Sequence, residues 1–236
     1  MGEVNCEGRT SREINAEIKR RVRLGENPIV VRNPGARHNL GVAILEPVTV
    51  QIDGSVGYYC AGLIDGATVE VAGGAGWGLA ESMMNGLVRV RGSAGNGAAA
   101  AIRGGTVVIR GDAAARLGIS MKGGTVIVAG NCGYMAGFMA QKGTLVICGD
   151  AGEDFGDSLY ETVCYVGGKI ASLGTDAVIE SPAPAEAGAL DALLAEHFDS
   201  DARRRLPHAA DFKKIVAGRK LWNFDKREWK TWQEAL

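Results

Sequence analysis

Aromatic side chains are scarce in this sequence, at 6% of 236 residues. Long apolar runs are missing, and no stretch approaches the roughly 20 residues that a membrane-spanning helix needs. There is no basic excess either. A formal charge of −1 argues against a dedicated binder of nucleic acid or anionic membrane, since both draw on surplus Lys and Arg. The five cysteines (Cys6, Cys60, Cys132, Cys148, Cys164) contain no CxxC pair. An odd count without that spacing predicts reduced thiols rather than a disulfide framework. The three histidines, His38, His197 and His208, lack the spacing of a metal-binding helix. From Met1 to Arg21 the chain is polar, with no apolar signal core, so a cytoplasmic location is expected. Met1-Gly2 opens like a myristoylation site, but Cys6 stands where Ser or Thr is required.

What is abundant is glycine, with 35 residues, about twice the usual share. The glycines are ordered. Seven short segments end at Gly54, Gly73, Gly92, Gly111, Gly130, Gly149 and Gly168, and successive glycines lie 19 residues apart without insertion or deletion. Each segment alternates with period two, which predicts a strand. One column of alternate positions reads Val50, Val69, Val88, Val107, Val126, Leu145, Cys164, and the next reads Ile52, Val71, Val90, Ile109, Val128, Ile147, Val166. Both columns are apolar and mostly β-branched, so both face a shared interior. Strands at constant separation, joined by more than a hairpin, should stack in parallel. The predicted fold is all-β: a right-handed parallel β-helix of seven coils, each completing the core of its neighbours. At about 4.8 Å per step the stack is roughly 30 Å long.

The remainder of each repeat fits a coil. Turn-forming residues follow the strand glycine: Ser55, Gly74, Ser93, Asp112, Asn131 and Asp150. Three past it the residues are Gly57, Gly76, Gly95, Ala114, Gly133 and Gly152; seven past it they are Ala61, Ala80, Ala99, Gly118, Gly137 and Gly156. Such columns permit close backbone approach or positive φ at a corner. A dinucleotide-binding glycine loop would occur once, between a strand and an amphipathic helix; here the glycines recur in every coil.

Three regions are expected: a cap over 1–35, the β-helix over 36–180 and an extension over 181–236. Thr10 to Glu13 fits a capping box, and Ile14, Ile18 and Val22 then share a helical face that covers the first coil. Ile29–Val31 reads as a strand. Extended backwards, the 19-residue register puts Gly35 in the glycine column, with Asn33 and Pro34 breaking the pattern. Ser181 to Glu186 reads as a linker, and Leu190, Leu193, Leu194 and Phe198 as a short amphipathic helix. In the tail, basic residues interleave with Phe212, Trp222, Phe224, Trp229 and Trp232, a composition suited to wrapping over the chain's own coils or a partner.

No nucleophile–base pair is visible. Arg89, Arg91 and Arg110 cluster on outward strand positions near Asp53, which reads as a solvated or partner-facing ridge. The outward position between the two core columns runs Gln51, Glu70, Arg89, Val108, Ile127, Val146, Tyr165. Its last four members form an apolar patch that a partner subunit or the C-terminal tail should bury. Arg37, His38, Asn39 and the segment carrying Asp154, Asp157, Tyr160 and Glu161 are further contact candidates, since charged loop residues make poor core.

The glycine pattern at Gly73-Gly74-Ala75-Gly76-Trp77-Gly78 and Gly92-Ser93-Ala94-Gly95-Asn96-Gly97 resembles the GXGXG domain, the C-terminal β-helix of the glutamate synthase large subunit. Residues 35–43 are similar to that family's opening segment, 48–71 to its first full coil, and 149–179 to its free-standing versions. The resemblance spans about residues 25–180. It implies a non-catalytic bridging subunit of a glutamate-synthase-type complex, with N-methylglutamate synthase (methylamine–glutamate N-methyltransferase) first. In that group the chemistry belongs to an amidotransferase-like subunit and an FMN-binding synthase subunit. FMN is therefore expected in a partner, with iron–sulfur as a further candidate there; no catalytic, cofactor or metal residue is expected in this chain. The β-helix component of a formylmethanofuran dehydrogenase or formyltransferase/hydrolase complex is the alternative within the fold. An independent carbohydrate-active solenoid is the alternative outside it.

Overall fold

The computed structural model describes residues 1–219. The chain opens with a strand, β1 (Gly2–Asn5), a helix, α1 (Ser11–Arg23), and a second strand, β2 (Ile29–Arg32), that pairs parallel to β1. The capping box is in place: Glu13 N donates to Thr10 Oγ1 at 3.3 Å, and Thr10 N donates to Glu13 Oε2 at 2.8 Å. Ile14 and Ile18 are buried against the first coils. Asn15 ties the helix down, donating from Nδ2 to Asn39 O at 2.6 Å and accepting from Gly41 N at 2.9 Å. The sequence reading held no β1; its Val4 enters the core, while its polar neighbours mask the alternation.

Seven parallel strands follow: β3 (Thr49–Asp53), β4 (Asp65–Val71), β5 (Asn85–Val90), β6 (Thr106–Ile109), β7 (Lys122–Val128), β8 (Lys142–Ile147) and β9 (Glu161–Val166). Their register is the 19-residue one, pairing Val50 with Val69, Val69 with Val88, and so on to Leu145 with Cys164. The fold is a right-handed parallel β-solenoid. The strand glycines approach one another end to end: Gly92 N donates to Gly73 O at 2.9 Å, and a Cβ on Gly149 would lie 2.7 Å from Gly130 backbone. From Gly73 to Gly168 close packing, rather than positive φ, is what requires glycine in this column; Gly54 alone in it has positive φ, at 146°.

The first turn departs from the repeat. Ile29 pairs with Val50 and Arg32 with Asp53, a separation of 21 residues. Asn33, not Gly35, therefore falls beside Gly54, in the left-handed region at φ 55°, a conformation Asn tolerates.

Two further walls close each coil. A bridge column stacks Val56, Ala75, Ala94, Ala113, Cys132, Ala151 and Ile170 in parallel. Beyond it the backbone enters the left-handed region at alternate residues, as at Tyr59, Ala61 and Leu63 or Met135, Gly137 and Met139. Their N–H groups bond alternately to the coil above and the coil below: Tyr59 N to Trp77 O at 2.7 Å, Ala61 N to Leu40 O at 2.9 Å. The interior fills with side chains that vary in size between coils, Ala136 and Ala140 being followed by Phe155 and Leu159.

The C-terminal part covers the last coils. Strand β10 (Ala177–Glu180) does not pair with β9. Strand β11 (Lys213–Ala217) inserts between them, antiparallel to both, and buries Ile215. Helix α2 (Pro184–His197) starts inside the expected linker, with Pro184 at its first turn and Glu186 accepting from Ala183 N at 2.8 Å. A one-turn helix, α3 (Ser200–Arg203), follows. Among the described residues no helix is long and apolar enough to cross a membrane.

Candidate functional site

The outward apolar row is covered by the chain itself. Val108, Ile127 and Val146 are fully buried and Tyr165 is 8% exposed, packed with Leu190, Leu194, Phe198 and Phe212 in a second apolar cluster outside the solenoid interior. This explains why β6 is buried on both faces whereas β3 alternates. The covers expected were a partner or the aromatic C-terminal tail; the face is instead occupied mainly by helix α2, with Phe212 the one tail aromatic among the described residues that joins it. Trp222, Phe224, Trp229 and Trp232 lie outside the described residues.

On the left-handed wall a different surface is open. Four residues past the strand glycine stand Tyr58, Trp77 and Tyr134, which are 47%, 55% and 44% exposed. His38 of the first turn stacks on Tyr58 with ring centroids 4.4 Å apart, and Tyr58 on Trp77 at 5.3 Å, with interplanar angles of 19° and 16°. The neighbouring glycine column makes this possible. A Cβ on Gly76 would come within 2.7 Å of Tyr58 Cδ1, and one on Gly95 within 2.6 Å of Trp77 Cδ1. Each ring thus sits against the glycine of the next coil. Leu63 and Met139 are exposed on the same wall. The sequence reading singled out His38 but missed its stacking partners; the signal available was their constant offset of four from the strand glycine.

The other contact candidates have local roles. Arg37 holds the first turn, donating to Pro34 O at 3.2 Å and Arg9 O at 3.3 Å. His38 Nδ1 accepts from Tyr58 N at 2.8 Å, which assigns its proton to Nε2 when the ring is neutral. Asn39 has φ 58° and gives its carbonyl to Asn15. At the far end Asp154 also has positive φ, and its N–H donates to Ser172 Oγ at 2.9 Å. Asp157 accepts from Ser158 Oγ at 2.6 Å and Thr175 N at 3.1 Å. Burial pushes its carboxyl up, but those hydrogen bonds outweigh it and hold the group below the usual range. Tyr160 and Glu161 line a shallow groove beside β11. The structure therefore places Arg37–Asn39 and the Asp154–Glu161 segment at opposite ends of one rod.

A charged groove of about 760 Å³ lies on the outward strand wall beyond the reach of α2, lined by Arg32, Asp53, Glu70, Arg89, Arg91, Arg110 and Asp199 among others. All five cysteines are buried thiols. Burial pushes Cys60, Cys132 and Cys148 up to about 12, which leaves their nucleophilic form unpopulated near neutral pH. No group of three or more metal-ligating side chains occurs among the described residues.

No protein-family model matches the chain, and a search of curated proteins returns no match. The architecture is a right-handed parallel β-solenoid of about seven coils with an N-terminal helix and a C-terminal helical extension.

Proposed function

We propose that the chain is a bridging subunit of a glutamate-synthase-type complex, N-methylglutamate synthase first. It would hold an amidotransferase-like subunit and an FMN-binding synthase subunit, which perform the exchange of methylamine with glutamate and release ammonia. The observation that carries this reading is the exposed aromatic wall. His38, Tyr58 and Trp77 stack on one another, which covers both faces of Tyr58 and one face each of His38 and Trp77, so the stack offers more edge than open face. A sugar-binding platform needs open faces. Exposed, rigid aromatic edges suit a protein interface, where Tyr and Trp contribute contact area at low entropic cost. Contact candidates at both ends of the rod suit a subunit with two neighbours.

The test is purification of the full chain from its native host followed by mass spectrometry of stoichiometric partners. The expected result is co-elution with an amidotransferase-like and an FMN-binding protein, weakened at least tenfold by Trp77→Ser. Stoichiometric formyltransferase-type partners would replace this reading with the formylmethanofuran alternative. A chain that purifies alone and turns over a glycan would end the bridging proposal.

A further inference from the structure

The outward strand wall has one half sealed by α2 and one half open, and the open half is charged. Its ion pairs leave a remainder. Arg32 Nη1 lies 2.5 Å from Asp53 Oδ2, Arg89 Nη1 lies 3.8 Å from Glu70 Oε1, and Arg110 Nη1 lies 3.5 Å from Asp199 Oδ2. Arg91 lines the same groove and has no acidic partner among the described residues. The register that pairs Val90 with Ile109 sets Arg91 beside Arg110 on adjacent strands, at about 4.8 Å backbone spacing. The preceding member of that column is Ala72, so no carboxylate separates the two guanidinium groups from the Arg32–Asp53 pair on that side.

Arg110 is held from the extension. Its guanidinium lies 5.8 Å from the centre of the Phe198 ring, and its partner Asp199 is itself fixed as the N-cap of α3, accepting from Ala202 N at 2.9 Å. Glu70, which braces Arg89, also accepts from Gln51 Nε2 at 3.2 Å. Two arginines side by side in register, one anchored and one without an acidic partner among the described residues, are suited to meet a planar or tetrahedral oxyanion together. We propose that this groove is an oxyanion site in which Arg91 and Arg110 together bind the phosphate or carboxylate group of a small molecule, with Arg89 flanking it on the same strand. The site stands independently of the bridging role.

Calorimetric titration of the full chain with inorganic phosphate, and separately with succinate, tests it. Saturable one-site binding of at least one probe is expected, weakened about tenfold or more by Arg91→Ala and less by Arg91→Lys, which keeps the charge but loses the fork. Arg23→Ala, an exposed change at the end of α1, should leave binding unchanged. Phosphate binding without succinate binding would assign the site to phosphorylated ligands, and succinate binding to carboxylated ones. Absence of saturable binding by both probes, or equal affinity in a folded Arg91→Ala variant, would overturn the proposal.

Discussion

The residue that follows each strand glycine does more than turn the chain. Ser93, Asp112, Asn131 and Asp150 each accept a hydrogen bond from the backbone N–H of the corresponding residue one coil on, at 3.1, 2.7, 2.8 and 2.7 Å. The side chains thus staple successive coils at one corner. Asn131→Ala removes the acceptor for Asp150 N and should cost about 1 kcal/mol, lowering the melting temperature by roughly 2–4 °C; a thermal melt followed by circular dichroism measures it. The glycines divide by role in the same way. A Cβ on Gly76 would meet Gly57 backbone at 2.7 Å, whereas Gly97 has φ +68° and open space around it. Gly97→Ala should therefore cost only left-handed strain, about 1–2 kcal/mol. Gly76→Ala forces coils apart and should cost roughly 3 kcal/mol. Urea unfolding that ranks them the other way would contradict close packing as the reason for that column.

At the scale of elements, α2 decides whether the last coils stay covered. Leu194 is fully buried over the row of Val108, Ile127 and Val146. Leu194→Ala should cost about 2–5 kcal/mol, and it should raise binding of an apolar fluorescent dye as the row becomes accessible. The helix also carries an acid sensitivity. Burial lowers the pKa of His197 from its ordinary 6.5, with nearby Arg89 adding to the effect and Glu196 opposing it. The unfolded chain thus takes up a proton that the folded chain refuses, so stability is present above pH 6.5 and declines as pH falls below it. Wild type should lose more unfolding free energy than His197→Gln between about pH 7.5 and pH 5, a window above the usual carboxylate range.

The whole molecule is a stack in which each coil touches only its neighbours, so its stability is close to a sum over coils and interfaces. Removing residues 74–92 takes out one 19-residue coil on the open half and rejoins the columns in register. That chain should still unfold cooperatively with a native-like β spectrum. Removing 74–91 leaves a 20-residue coil whose extra residue must be taken up as a bulge at a corner, as it is ahead of Thr68 and Thr125, so it should fold with lower stability than the 74–92 deletion. Equal behaviour of the two deletions would mean that register does not govern the stack.

Sequence alone was enough for the repeat that carries the strands. The 19-residue spacing, the two inward columns, the small residues at corners and the capping box at Thr10 are local patterns, and stacking identical neighbours turns them directly into walls. The apolar row from Val108 to Tyr165 likewise announced that a cover must exist, because exposed apolar strands in a contiguous patch are costly. Tertiary structure decided what does not repeat. The 21-residue first turn, the insertion of β11 between β9 and β10, and the choice of α2 as the cover depend on contacts between segments far apart in the chain. The stacked rings of His38, Tyr58 and Trp77, and the fixing of Arg110 by Phe198 and Asp199, depend on coil curvature and on the docked extension. A pattern with a period predicts its own neighbours; a unique contact exists only once the chain has folded.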